Sequence, residues 1–113
     1  MARWVEEIPA RWARERGEAT ALACARTRHT WRELENARVE WARHLAGLGV
    51  RAGDRVMVVG ENCPAMVMLI FALARLRAWV VNVNARLSAR EVDAIRDHSG
   101  ARRLIFLVED SRD

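Results

Sequence analysis

Three consecutive side chains, Asp97, His98 and Ser99, contain every functional group that a nucleophilic triad needs. A triad requires the base within hydrogen-bond reach of both nucleophile and carboxylate, and consecutive residues on a helix do not face one another. The run therefore reads as the end of a helix. His29 and His44 have no cysteine or second histidine at ligand spacing, so surface or packing roles fit them better than metal binding. Cys24 and Cys63 lie far apart and match no metal or redox spacing, which argues against a disulfide framework and fits a reducing, cytoplasmic setting. "GLGVRAG", residues 47–53, superficially matches a dinucleotide fingerprint. It has one residue too many before its last glycine, and it joins a helix to a strand where the fingerprint joins a strand to a helix. A Walker loop is excluded, because the chain contains no lysine. Trp4, Trp12, Trp31, Trp41 and Trp79 fall on different elements with helical or strand periodicity, the pattern of core and interface packing rather than of a base-stacking platform.

What remains lies at strand ends, where open parallel sheets bind their ligands. Glu61 and Asn62 follow one β-branched run, and Asn82, Asn84 and Arg86 close or follow the next. Asn62, Asn84 and Arg86 are the cofactor-binding candidates, although such side chains serve more often as caps of loops and helix N-termini. The sequence assigns no catalytic residue and no metal ligand.

The elements that would position these residues follow from periodicity and capping. Trp4, Val5, Ile8, Trp12 and Ala13 recur at helical spacing, with Pro9 expected to kink or divide that helix. "TALACA" and "RHTW" flank a polar turn at residues 26–28 and read as a small hairpin. Thr30 and Glu33 form a capping box that starts a helix, with Leu34, Ala37, Trp41, Leu45 and Leu48 as its apolar stripe and Gly49 as its left-handed stop. "RVMVV" is a strand able to bury both faces. Pro64 opens an apolar helix over 64–76, with Leu69, Ile70 and Leu73 expected in the core. "WVVNV" is a second strand. Ser88 with Glu91 caps a helix reaching Ser99, Leu87 and Val92 staple its entry, and Gly100 ends it before the strand "RRLIFLV".

From Arg55 onward the order is strand, helix, strand, helix, strand, which implies parallel pairing through right-handed crossovers. Two successive right-handed crossovers are expected to place their helices on the same face, leaving the other apolar face and the strand edges open to self-association. The fold expected is α/β: a partial N-terminal subdomain with a small hairpin and a parallel βαβαβ unit covered by helices.

Composition narrows the partners. With 113 residues, 51% of them hydrophobic and 30% charged, the chain forms one small globular unit. The formal charge is +4, but arginines alternate with Glu and Asp along the helices, which describes a salt-bridged surface and no nucleic-acid stripe. The longest apolar stretch, 63–74, is shorter than the roughly 20 residues of a membrane span.

The order of these motifs resembles the N-terminal region of the adenylate-forming ligase superfamily, particularly AMP-forming acyl-CoA synthetases. The resemblance covers residues 18–108 and rests on four pieces: the T-W-x-E-L helix start at 30–34, G-V-x-x-G-D-R-V at 49–56, the Asn-x-Pro turn at 62–64, and N-x-R-L-x-x-x-E at 84–91. Arg77 stands where the family usually has glycine, and Asn82 where many members have proline. The resemblance implies that residues 1–113 are the incomplete N-terminal portion of a large ligase domain. The parent would use ATP, Mg²⁺ and CoA to convert a carboxylic acid, fatty or aromatic, first to an acyl-adenylate and then to a thioester. It places the phosphate loop, adenine pocket, acyl pocket and mobile lysine downstream, so this chain alone is expected to bind no cofactor and to be inactive, with the remainder of the ligase as its partner. An α/β interaction or nucleotide-binding module without ligase activity is the alternative.

Overall fold

The computed structural model describes residues 7–23, 27–61, 63–84, 86–101 and 103–107. Helix α1 (Ile8–Arg16) leads into an antiparallel hairpin of β1 (Thr20–Ala23) and β2 (Arg28–Thr30). Helix α2 (Trp31–Gly47) follows, then β3 (Arg55–Gly60), α3 (Pro64–Arg75), β4 (Trp79–Asn84), α4 (Ala89–Ser99) and β5 (Arg103–Phe106). Strands β3, β4 and β5 form a parallel sheet in the order β4-β3-β5.

That order corrects the expected placement of the helices. Because β3 is central, the chain moves outward to β4 and then back across β3 to β5, and crossovers of one hand in opposite directions put their helices on opposite faces. Val56 and Val58 accordingly pack with Leu69, Ala72 and Leu73 of α3 and with Ala42 and Leu45 of α2. Met57 and Val59, pointing the other way, pack with Val83 and with Val92 of α4. Central β3 is thus buried on both faces over residues 56–59. Each of its side chains contributes about 1.5–3 kcal/mol of burial.

Both predicted capping boxes are present: Thr30 with Glu33 at α2, and Ser88 with Glu91 at α4. The reciprocal bonds satisfy backbone donors that a helix start otherwise leaves open. They also hold the two carboxyls below their ordinary value near 4.5, chiefly through the hydrogen bonds from the Thr30 and Ser88 backbone amides. Leu87 and Val92 meet in one cluster, as a staple requires.

Other expectations shift. Pro9 lies in the first turn of α1 and kinks nothing, since a missing amide there breaks no bond; Trp4 and Val5 lie outside the described residues. The buried face of α2 is Leu34, Arg38, Ala42 and Leu45, one residue around from the expected stripe. Packing between α1 and α3 selects that face and leaves Trp41 42% and Leu48 52% exposed. Arg38 is buried because Glu35 grips its guanidinium with two bonds of 2.6 and 2.7 Å. In α3, Leu69 and Leu73 are buried and Ile70 is half-buried against the same cluster. Of the tryptophans, Trp12 and Trp31 stack at 6.0 Å between α1 and α2, whereas Trp79 is 68% exposed.

Helices α2 and α3 end alike. After α2, the Val50 amide donates to the Leu45 carbonyl and the Gly49 amide to that of Ala46; after α3, Ala78 donates to Leu73 and Arg77 to Ala74. Both are Schellman ends, which need a left-handed residue at the pivot. Gly49 supplies it at φ 98°, and Arg77 adopts it at φ 61°.

Candidate functional site

The strand order that separates the two crossover helices also creates a crevice. Chain leaves β3 toward one face and β4 toward the other, so the gap between their carboxyl ends is a topological switch point. Gly60, Glu61, Asn82, Asn84 and Arg86 line a cleft there of about 370 Å³.

Parallel register builds it. Val58 pairs with Asn82 and Gly60 with Asn84, so alternation along β4 sets Asn82 and Asn84 on one face, two residues apart. Gly60 is needed on the β5 side, because a Cβ there would lie 2.8 Å from the Leu107 Cβ. The Leu107 amide donates to the Val59 carbonyl at 2.8 Å and fixes that approach. At the mouth, Arg86 Nε lies 3.6 Å from Glu61 Oε1, with both side chains well exposed. In water such a pair is weakly held and can open to a ligand.

The predicted candidates fare unequally. Asn84 and Arg86 both line the cleft, but the Asn84 Oδ1 accepts from the Arg86 amide at 2.8 Å, an Asx-turn that shapes the loop. The Asn84 side chain thus shapes the turn, and Arg86 presents a guanidinium to the cleft. Asn62 lies outside the described residues. Sequence reasoning missed Gly60 as a wall, which depends on β5 lying beside β3, and did not join Glu61 to Arg86 across the ends of β3 and β4. Asp97, His98 and Ser99 form no triad: Asp97 pairs with Arg96, and the Ser99 hydroxyl donates to the Arg96 carbonyl.

Chemically the cleft offers amides, one cation and one carboxylate, a set suited to holding a polar or anionic group. Its described lining includes no Ser, Thr, Cys, Lys or His. The two carboxyls with lowered proton affinity, Glu33 and Glu91, are committed to helix caps. Among the described residues, no three or more His, Cys, Asp or Glu side chains gather to hold a metal, and no helix is long and apolar enough to cross a membrane.

Comparison with known proteins places this architecture. The model of the AMP-binding enzyme family matches residues 9–113. A feruloyl-CoA synthase of Amycolatopsis is 39% identical over 101 residues, a match covering 89% of this chain and 21% of that protein. A 2-succinylbenzoate–CoA ligase of Geobacillus kaustophilus is 38% identical over 95 residues, covering 80% and 19%. Among solved structures, the N-terminal subdomain of Klebsiella oxytoca NpsA, in complex with 3-hydroxyanthranilyl-AMSN, superposes with a TM-score of 0.87 at 26% identity, covering 93% of this chain and 27% of that one. The chain spans about a fifth of the length of the curated relatives it matches.

Proposed function

Because the chain belongs to the AMP-binding enzyme family, we propose that it is the opening scaffold of an acid–CoA ligase. The parent would adenylate a carboxylic acid, fatty or aromatic, with ATP and pass the acyl group to CoA. The observation that carries this reading is the match of 93% of the chain to an N-terminal subdomain of an adenylate-forming enzyme, joined to relatives that are acid–CoA ligases.

The chain's share in that reaction is structural. Adenylation needs cations and donors aimed at the charge developing on the transferred phosphoryl group. No lysine is present, and the described residues gather no acidic cluster for Mg²⁺. No step is therefore routed through a metal on this chain. Its parallel sheet forms a wall, and the switch-point cleft presents Arg86, on a turn set by Asn84, to a polar part of a ligand held mainly by the remainder of the ligase. That remainder is the natural partner of the exposed Trp41, Leu48 and Phe106 and of the two edge strands β4 and β5. Alone, the chain would use the same surfaces to self-associate.

ATP–pyrophosphate exchange tests this division of labour. The isolated chain should give no acid-dependent exchange with short, long or aromatic acids, and exchange above the buffer blank would overturn the scaffold reading.

A further inference from the structure

The end of the sheet opposite the cleft carries a charge distribution that the ligase reading does not use. Strands β3, β4 and β5 begin there at Arg55, Trp79 and Arg103, and helices α2, α3 and α4 end there. The Gly53 amide donates to the Arg77 carbonyl at 2.9 Å, and the Trp79 amide to the Asp54 carbonyl at 2.7 Å, tying the loop before β3 to the turn before β4. The Arg55 guanidinium donates to the Ser99 carbonyl at the close of α4. That of Arg103 lies 2.8 Å from where a Cβ on Gly49 would stand, at the close of α2. Arg51, Arg55, Arg75, Arg77 and Arg103 are therefore gathered on one end of the molecule, and all five are exposed.

Elsewhere among the described residues ten arginines are balanced by ten Glu and Asp; Arg11 pairs with Glu15, Arg32 with Glu18, Arg38 with Glu35, Arg86 with Glu61, and Arg96 with Asp93 and Asp97, while Arg14, Arg16, Arg28, Arg43 and Arg90 are in no ion pair. Among the described residues, none of Arg51, Arg55, Arg75 and Arg103 is in an ion pair. Asp54, the acid set among them, accepts the Arg51 backbone amide at 2.8 Å. Three helix C-termini bring roughly half a negative charge each, well under what the guanidiniums of Arg51, Arg55, Arg75 and Arg103 bring. The formal excess of +4 thus sits largely on this end. Arg77 adds a second sign, since its left-handed backbone is one that glycine would adopt without cost.

We propose that this end is a docking surface for an anionic phospholipid bilayer. Trp79 stands beside Arg55 in register and is 68% exposed, so an indole projects from among the guanidiniums, the pairing suited to the headgroup level of a membrane. Single-stranded nucleic acid would demand successive aromatic faces, and Trp79 is the one exposed tryptophan among the described residues of this sheet. Docking lays the sheet end on the surface and leaves the cleft, at the other end, turned to solvent.

Flotation of the chain with phosphatidylcholine vesicles, with and without a third phosphatidylglycerol, tests this independently of ligase activity. Binding should require the anionic lipid and fall steeply with added salt. Each arginine near the surface is worth about fivefold in partitioning. The double variant Arg51→Glu/Arg75→Glu should lose at least about 25-fold. Arg28→Glu, on β2 beyond the N-terminal end of α2, should bind like the parent, and circular dichroism would verify that each variant is folded. Trp79→Ala should weaken binding while keeping its salt dependence. Equal binding to neutral vesicles, no binding of the folded chain, binding unchanged by the double reversal, or stronger binding to single-stranded RNA than to vesicles would each overturn the proposal.

Discussion

Replacing Arg77 by glycine should make the protein more stable. Arg77 pivots the end of α3 at φ 61°, where its Cβ crowds the neighbouring backbone, while Gly49 performs the same task after α2 without a side chain. Holding a non-glycine residue in the left-handed region costs about 1–2 kcal/mol. Glycine also enlarges the unfolded ensemble, which returns about 0.4–1 kcal/mol of that gain. The net lies between about 0 and 1.6 kcal/mol, with a midpoint of about 0.8 kcal/mol, or roughly 2–6 °C in melting temperature for a chain this size. Arg77 takes part in a further interaction, and Arg77→Ala, which keeps the strain and removes the guanidinium, measures that contribution separately. Arg75→Gly supplies the opposite sign, because α3 is regular there and glycine in a helix costs about 1 kcal/mol. Melts of the three variants followed by far-ultraviolet circular dichroism decide the matter. If Arg77→Gly melted lower than both the parent and Arg77→Ala, the strain argument would be refuted.

The remaining expectations concern the core, the caps and the uncovered surface. Leu69→Ala should cost about 2–5 kcal/mol by opening a cavity between α3 and β3, and Leu69→Asp should prevent folding by burying an unpaired charge; an unchanged melt for the latter would displace α3 from the core. Glu33 and Glu91 have folded proton affinities below the unfolded value near 4.5, so their contribution is complete above that pH and is lost as pH falls through the lowered values. The melting-temperature difference between the parent and Glu33→Gln/Glu91→Gln should therefore shrink on acidification below about pH 4.5, and a difference that grew instead would count against the capping boxes. At micromolar concentration the chain should bind a hydrophobic dye and elute as dimers or larger species; a dye-silent monomer with a cooperative, high-temperature melt would favour a self-sufficient interaction module.

Local rules were legible in the sequence wherever a bond closes within a few residues. Thr30 with Glu33, Ser88 with Glu91, Leu87 with Val92, and the left-handed glycines 49 and 100 all sit as their spacing dictates. The strand order was not legible, since nothing between β4 and β5 states whether α4 carries the chain onward or back across β3. That single ambiguity displaced α4 to the other face and hid the close approach of Gly60 to Leu107. Burial on α2 was misread for a related reason: Arg38 is apolar in no pattern, yet Glu35 lets it enter the core, while Trp41 faces out. The glycine that the family resemblance led one to expect at position 77 fell where the backbone is left-handed, although the residue type alone gave no such sign.

The central claim, that this segment supplies a wall and leaves chemistry and acid choice to the rest of the ligase, is tested most directly by a graft. Residues 9–113 would replace the matching fifth of the Amycolatopsis relative, and acid-dependent ATP–pyrophosphate exchange would be measured across a panel of acids. The account predicts a folded chimera that still exchanges and keeps the recipient's order of preference among acids. A folded chimera that exchanged with a new order of preference would show that this segment selects the acid, and would contradict the account.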